Sequence, residues 1–145
     1  VHISDALVWA RDLAECLGAS RSDGVPSDAK PLDAIFIDIF SAEENQCPEP
    51  FIGPRFLADA RACLAPGGVI VANFHTGGAA LDVQVERAVE AYAAEFGDIF
   101  VVPAQRRGNT ILAAAFSPGG LGTRETLMRV AAAERNRRNL LFDLS

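Results

Sequence analysis

The 145-residue chain is 50% hydrophobic and 22% charged, a composition typical of one globular domain rather than of a disordered or fibrous segment. Its formal net charge of −6 argues against a binder of nucleic acids or anionic membranes, because those partners require a basic face. No apolar run approaches the roughly 18 to 20 residues of a transmembrane helix, and the first residues do not form a signal peptide. We therefore expect a cytoplasmic protein with no membrane or nucleic-acid partner.

The first part of the chain predicts a strand end followed by a helix. The chain starts inside an apolar run and without a methionine, so we expect residues 1–3 to end a strand and the chain to continue a longer polypeptide. Apolar residues recur at helical spacing over 6–17, with Asp5 as the N-cap and Gly18 as the stop. Residues 19–31 are rich in Ser, Asp, Gly and Pro, which predicts a surface loop.

The middle of the chain predicts two buried strands separated by a helix. Residues 34–40 form a nearly continuous apolar run, typical of a strand covered on both faces, and Asp38 interrupts it. A proline-containing loop then leads into a helical stripe over 55–64. Pro66-Gly67-Gly68 predicts a tight turn into a second buried strand, 69–74, and nothing around it matches a phosphate-binding loop.

The last part predicts a helix, a hairpin and a final helix. The apolar stripe over 79–96 indicates a long amphipathic helix. Two β-rich runs, 99–104 and 110–116, predict an antiparallel hairpin. A helix over 123–136 follows, with Thr123 as its N-cap and a solvated arginine-rich end. Strands and helices that alternate in this way predict an α/β fold with helices packed on a largely parallel sheet.

Two segments resemble a known family: Leu-Asp-Ala-Ile-Phe-Ile-Asp-Ile-Phe-Ser from Leu32, and Leu-Ala-Pro-Gly-Gly-Val-Ile-Val-Ala-Asn from Leu64. They resemble the second half of class I S-adenosylmethionine-dependent methyltransferases, and more narrowly the spermidine-synthase-like branch. The resemblance implies a three-layer, Rossmann-like sheet with strand order 3-2-1-4-5-7-6, of which this chain carries strands three to seven, ending in the antiparallel hairpin of strands six and seven. We therefore expect this spatial order, with only the third segment antiparallel: 34–40, 69–74, 110–116 and 99–104.

Shorter phrases narrow the resemblance: Val-His-Ile-Ser-Asp-Ala-Leu at the start, Cys-Pro-Glu-Pro-Phe from Cys47, and the Asp-Leu-Ser ending. They are similar to the carboxyl-terminal, spermidine-synthase-like domain of the eukaryotic methyltransferases of elongation factor 1-alpha. This likeness implies methyl transfer from S-adenosylmethionine to a lysine or N-terminal amine of a protein. A translation factor is then a candidate substrate.

The resemblance also implies that Ser4, Asp5 and Ala6 contact the adenine ring of the cofactor. A carboxylate suits that place because the exocyclic amine of adenine is a donor that needs an acceptor, although Asp5 is also suited to cap the helix. The Gly-rich turn and the acidic residue that hold the rest of the cofactor would lie upstream of Val1. We therefore expect the chain alone to bind S-adenosylmethionine weakly or not at all, and another segment or chain to complete the sheet.

Three polar residues at predicted strand ends are candidate site residues. An ionisable group in an apolar strand is costly unless it lies at the open carboxyl end, where ligands of doubly wound sheets bind, so we predict a catalytic role for Asp38. Asn73 and His75 lie at the open end of the next strand, and we predict that they face the substrate. A histidine is suited to proton transfer near neutral pH, but a lone histidine in a Gly-flanked loop is more often structural.

Two other functions stay open from the sequence, and no metal site is indicated. A degenerate methyltransferase-like fold also serves as a non-catalytic scaffold or as a subunit of a larger assembly. A spermidine-synthase-type aminopropyltransferase needs an Asp-Ser-Ser-Asp-Pro motif, whereas Asp38 is followed here by Ile-Phe-Ser-Ala, so this function is the least favoured. The three cysteines are widely spaced and support neither a disulfide framework nor a zinc site.

Overall fold

The computed structural model describes residues 5–23, 29–104, 108–116 and 122–138. Its helices are α1 (Ala6–Asp23), α2 (Pro54–Cys63), α3 (Ala79–Phe96) and α4 (Arg124–Arg138), with a 3-10 turn at Glu49–Ile52. Its strands are β1 (Leu32–Ile37), β2 (Leu64–His75), β3 (Ile99–Pro103) and β4 (Asn109–Ala115). The strand end expected at residues 1–3 lies outside the described residues.

The four strands form one mixed sheet in the order β1-β2-β4-β3. β1 pairs with β2 in parallel, whereas β4 pairs antiparallel with both β2 and β3. This confirms the strand order and the single reversed strand predicted from the sequence. Because β4 runs against β2, its first residue, Asn109, lies opposite the last residue of β2, His75.

One face of the sheet carries the core. Along β2, Ile70, Ala72 and Phe74 are buried, whereas the residues between them are only half-buried. The buried face packs into one cluster with side chains from the helices, including Phe56, Leu57, Ala60, Ala88 and Tyr92. Full burial of each large apolar side chain contributes about 1.5–3 kcal/mol. Since side chains alternate along a strand, Asn73 and His75 lie on the opposite face, away from this cluster.

The junction between α2 and β2 depends on the Pro-Gly-Gly segment. Leu32 pairs with Leu64 but Ala34 pairs with Val69, so the residues between Leu64 and Val69 leave the regular ladder. Gly67 has a φ of 81°, a conformation that side chains other than glycine's rarely adopt. A Cβ on the next residue, Gly68, would lie 2.8 Å from the Leu32 carbonyl oxygen. The predicted turn is therefore present, but it forms an irregularity inside a longer strand.

Two predicted boundaries were wrong. Helix α1 continues through Gly18 to Asp23, although we expected a stop at Gly18 and a loop from residue 19. A glycine ends a helix when it adopts a positive φ, and Gly18 does not, so it remains an ordinary helical residue. The strand predicted at 34–40 spans Leu32–Ile37, so Asp38 follows the strand instead of interrupting it.

The predicted helix caps are confirmed. The Asp5 carboxylate oxygen Oδ1 accepts the backbone N–H groups of Leu7 and Val8 at 2.9 and 3.1 Å. Thr123 Oγ1 accepts the backbone N–H of Thr126 at 3.2 Å and begins α4 in the same way. Such caps satisfy first-turn N–H groups that have no partner within the helix. Over the described ranges, no helix is both long and apolar enough to cross a bilayer.

Candidate functional site at the carboxyl edge of the sheet

Polar side chains meet where β1 and β2 end. Asp38 comes directly after β1 and is exposed, and Asn73 is the third residue from the end of β2. The two strands are parallel, so their last residues lie at the same edge, and Asn73 Nδ2 donates a hydrogen bond to Asp38 Oδ1 at 3.0 Å. The predicted proximity of these two residues is confirmed. Their roles stay predictions.

A third polar residue, Asn109, joins this pair from β4. Its Nδ2 donates to Asn73 Oδ1 at 2.8 Å, while Asn73 Nδ2 donates to Asp38. The carboxamide of Asn73 is therefore held at both ends, and it fixes the Asp38 carboxylate in turn. Asp38 Oδ2 accepts no hydrogen bond from the residues that the structure describes, so it is available to a ligand. Asn109 was not among the predicted site residues, because it falls between the two predicted hairpin strands, 99–104 and 110–116.

His75 has a defined environment at the same edge. Its ring stacks on Phe40 with a centroid distance of 3.8 Å and an interplanar angle of 8°. Its Nδ1 lies 3.1 Å from the backbone oxygen of Asn45, which has a φ of 54°. The ring is half-buried rather than sealed in the core. His75 lies two residues beyond Asn73 on the same face of β2, about 7 Å along the strand.

The residues predicted to contact the cofactor lie near the same end of β1. Ala6 and Trp9 of α1 line an apolar cavity of about 160 Å³ together with Phe36 and Ile39, which bracket the end of β1. Asp5 immediately precedes Ala6 in the chain, and only its Oδ1 accepts the N–H groups of the helix cap. Asp5 does not itself line the cavity, and its Oδ2 accepts no hydrogen bond from the residues that the structure describes. Ser4 lies outside the described residues.

Two of the three cysteines, Cys47 and Cys63, are buried and are placed for packing rather than for metal binding. Burial, with a smaller contribution from the Asp59 carboxylate, raises the pKa of the Cys63 thiol to about 11. Burial and the Glu49 carboxylate raise the pKa of Cys47 to about 11 as well. A thiol must ionise to bind a metal, so these thiols are poor ligands. Among the described residues, no group of three or more His, Cys, Asp or Glu side chains is arranged to hold a metal ion.

Comparison with known proteins identifies a structural relative. No protein-family model and no curated protein matches the sequence. The chain is similar to the crystal structure of human Methyltransferase-like protein 13 in complex with SAH, with a TM-score of 0.71 and 26% sequence identity. This similarity relates the chain to a methyltransferase-like protein. The match covers 100% of this chain and 62% of the human chain, so this chain spans less than two thirds of the length of its relative.

This relationship and the sheet topology together confirm the predicted fold class. The chain has an α/β architecture with a four-stranded mixed sheet, which matches part of a Rossmann-like methyltransferase fold. In such sheets, ligands bind beyond the carboxyl ends of the parallel strands. That is the edge where Asp38, Asn73 and His75 lie, and it is therefore the candidate functional site.

Proposed function

We propose that this chain is part of an S-adenosylmethionine-dependent methyltransferase domain that methylates a protein amine. The observation that carries the proposal is the similarity over the whole chain to a methyltransferase-like protein in complex with SAH. SAH is what remains of S-adenosylmethionine after it gives up its methyl group. The polar cluster at the carboxyl edge of β1 and β2 supports the proposal, because it lies where ligands of such sheets bind.

We assign the binding of the methyl-accepting amine to Asp38. Its exposed carboxylate has one oxygen fixed by Asn73 and one left for a ligand, which suits a cationic ammonium group. Fixing a carboxylate beforehand reduces the cost of organising it around the substrate. The formal net charge of −6 also favours the approach of basic protein segments such as lysine-rich tails. A translation factor is the first substrate to test, and it would place the reaction in the cytoplasm.

We assign part of the cofactor site to Ser4, Asp5 and Ala6. Asp5 Oδ2 would accept the exocyclic amine of adenine while Oδ1 continues to cap α1, and the adjoining apolar cavity would cover the ring. S-adenosylmethionine, when bound, supplies a methyl group on a positively charged sulfur.

The remaining strands of the domain would come from an amino-terminal segment or from another chain and pair with β1. β1 is an outer strand of the described sheet, so one of its sides has no neighbouring strand there. Phe36 on β1 is 75% exposed, which is unusual for a phenylalanine and is explained if further strands cover it in the whole domain. We call the assembly of this chain with those strands the completed domain.

Methyl transfer by the completed domain tests the proposal. The assay follows a labelled methyl group from S-adenosylmethionine to protein substrates in the intact domain, in Asp38→Asn and in Asp33→Asn. Asp33 is the matched control, since it is an exposed aspartate at the opposite end of β1. We expect Asp38→Asn to lower kcat/KM at least 100-fold, about 2.7 kcal/mol of transition-state stabilisation, and Asp33→Asn to leave it within twofold.

Three outcomes separate the alternatives. Loss of transfer in Asp38→Asn alone supports the assigned role. Equal activity of all three proteins would remove Asp38 from the site while leaving the methyltransferase proposal intact. No transfer by the intact completed domain, together with no binding of S-adenosylmethionine, would overturn the proposal and favour a non-catalytic scaffold.

A further inference from the structure

A compact loop touches His75 through its backbone. In this loop, residues 41–47, the backbone N–H of Ser41 donates to the Gln46 oxygen at 2.8 Å, and the N–H of Asn45 donates to the Ser41 oxygen at 3.0 Å. The Ser41 hydroxyl oxygen also accepts the N–H of Glu44 at 3.2 Å. These bonds close the loop on itself, so the direction of its carbonyl groups is defined. We call it the 41–47 loop.

A buried glutamine of α3 fixes the end of this loop. Gln84 is only 5% exposed, and its side chain forms two hydrogen bonds with one residue, Cys47. Its Oε1 accepts the Cys47 N–H at 3.1 Å, and its Nε2 donates to the Cys47 oxygen at 2.7 Å. Both polar ends of the buried amide are thus satisfied, which is the requirement for placing it in the core. Gln84 therefore ties the 41–47 loop to the scaffold.

The fixed loop aims one carbonyl oxygen at His75. Asn45 has a φ of 54°, in the left-handed region, and its carbonyl oxygen lies 3.1 Å from Nδ1 of His75. A carbonyl oxygen only accepts hydrogen bonds, so a neutral His75 must carry its hydrogen on Nδ1. Stacking on Phe40 holds the plane of the ring. The lone pair then lies on Nε2, to which no atom of the described residues donates a hydrogen bond.

We propose that the 41–47 loop, anchored by Gln84, holds His75 as the Nδ1–H tautomer and so presents Nε2 as the proton acceptor for the methyl-accepting amine. The assignment of the amine rests on the proposed function, whereas the tautomer does not. An ammonium group held by Asp38 would pass one N–H proton to Nε2. The products are a neutral amine, whose freed electron pair is the nucleophile, and an imidazolium with hydrogen on both nitrogens, which returns its proton to solvent.

This arrangement also defines which acceptor groups fit. Asp38 Oδ2 and His75 Nε2 both accept hydrogen bonds, so a substrate must offer at least two N–H hydrogens. An ammonium group offers three, whereas a hydroxyl offers one. Gln84 is a positioning residue in this scheme, because it acts on the substrate only through the loop and His75.

Nitrogen NMR of the imidazole tests the tautomer directly. Long-range ¹H–¹⁵N correlation spectra distinguish the protonated ring nitrogen from the unprotonated one. The spectra are recorded on the completed domain, and comparison with a His75→Gln variant identifies the signals of this imidazole. At a pH where His75 is neutral, we expect hydrogen on Nδ1. Hydrogen mainly on Nε2, the tautomer that free histidine prefers in water, would overturn the proposal at once.

Variants of the loop and its anchor test the cause. Gln84→Leu removes the anchor at similar volume and should shift the tautomer toward Nε2–H. Asn45→Pro should do the same, since proline cannot adopt φ 54° or donate the Asn45 N–H, and the residue is exposed. If Gln84→Leu fails to fold, Asn45→Pro alone tests whether the loop sets the tautomer of His75. Asn45→Gly keeps the carbonyl and suits the positive φ, so it should preserve Nδ1–H.

Arg87→Met is a second control on α3. It breaks the ion pair with Glu49 at 2.7 Å while leaving Gln84 in place, and the tautomer should not change. An unchanged tautomer in both Gln84→Leu and Asn45→Pro would refute the role of the loop. These spectra need no methyl transfer, so failure of the proposed function and failure of the tautomer are separate results.

Discussion

Alkaline pH should destabilise the protein through two buried thiols. Burial and the Asp59 carboxylate raise the pKa of Cys63, whose sulfur donates to the Ala10 oxygen at 3.2 Å, from 9.0 to about 11. Burial, with a smaller contribution from the Glu49 carboxylate, raises the pKa of Cys47 to about 11 as well. The thiol is thus neutral in the folded protein at pH values where the unfolded chain already ionises. Stability is therefore fully present below about pH 9 and is lost as pH rises toward 11.

The size of the effect follows from the two pKa values. Each unit of pKa difference corresponds to about 1.4 kcal/mol. At pH 10, midway between 9.0 and about 11, each thiol lowers the free energy of unfolding by about 1.4 kcal/mol, so the two together lower it by about 3 kcal/mol relative to pH 8.

Urea unfolding at pH 8 and pH 10 under reducing conditions measures this loss. Cys63→Ala and Cys47→Ala should each remove about half of the pH-dependent loss, whatever they cost at pH 8. Cys16→Ala is the control, because Cys16 is exposed, and the loss should stay unchanged. An equal loss in all four proteins would show that the thiols are not the cause and that the burial argument fails.

Three further changes have defined outcomes. Tyr92→Phe should be neutral or stabilising in thermal unfolding, because the buried Tyr92 hydroxyl has no hydrogen-bond partner among the residues that the structure describes; destabilisation beyond about 1 kcal/mol would reveal one. Asn109→Ala should lower kcat/KM of the completed domain about tenfold by releasing Asn73, and unchanged kinetics would show that Asn73 needs no support. The chain alone should self-associate at micromolar concentration through β1, and Phe36→Glu should shift its sedimentation toward the monomer; an unchanged profile would rule out this edge.

The sheet was predictable because its signals are local. The apolar runs around Asp38 and Asn73 mark parallel strands, and the carboxyl ends of parallel strands meet at one edge, so the contact between the two residues followed from topology. The strand boundaries did not follow, because a continuous apolar run gives no sign of where pairing stops. The helix stop predicted at Gly18 was wrong, because a glycine ends a helix where its φ is positive, and residue type alone does not determine φ.

The residues that hold Asn73 and His75 in place could not be predicted in the same way. Asn109 reaches Asn73 from 36 residues away, and only the reversed direction of β4 brings them together. Asn45 acts through its backbone oxygen, which no side-chain pattern reports. Gln84 did leave a signal, because it is a polar residue on the apolar stripe of α3 between Leu81 and Ala88. A buried polar residue on a core-facing stripe needs a partner, and here the partner is a loop of the site.

The central claim is that a cofactor of the S-adenosylmethionine type binds at the carboxyl edge of β1 and β2. Backbone-amide NMR of the completed domain during titration with SAH tests it most directly. We expect the largest shifts at Asp5, Ala6 and Asp38, with saturation, and little change at Asp33 on the opposite edge. Saturable shifts that cluster around Asp33, or no shifts at millimolar SAH, would contradict the claim.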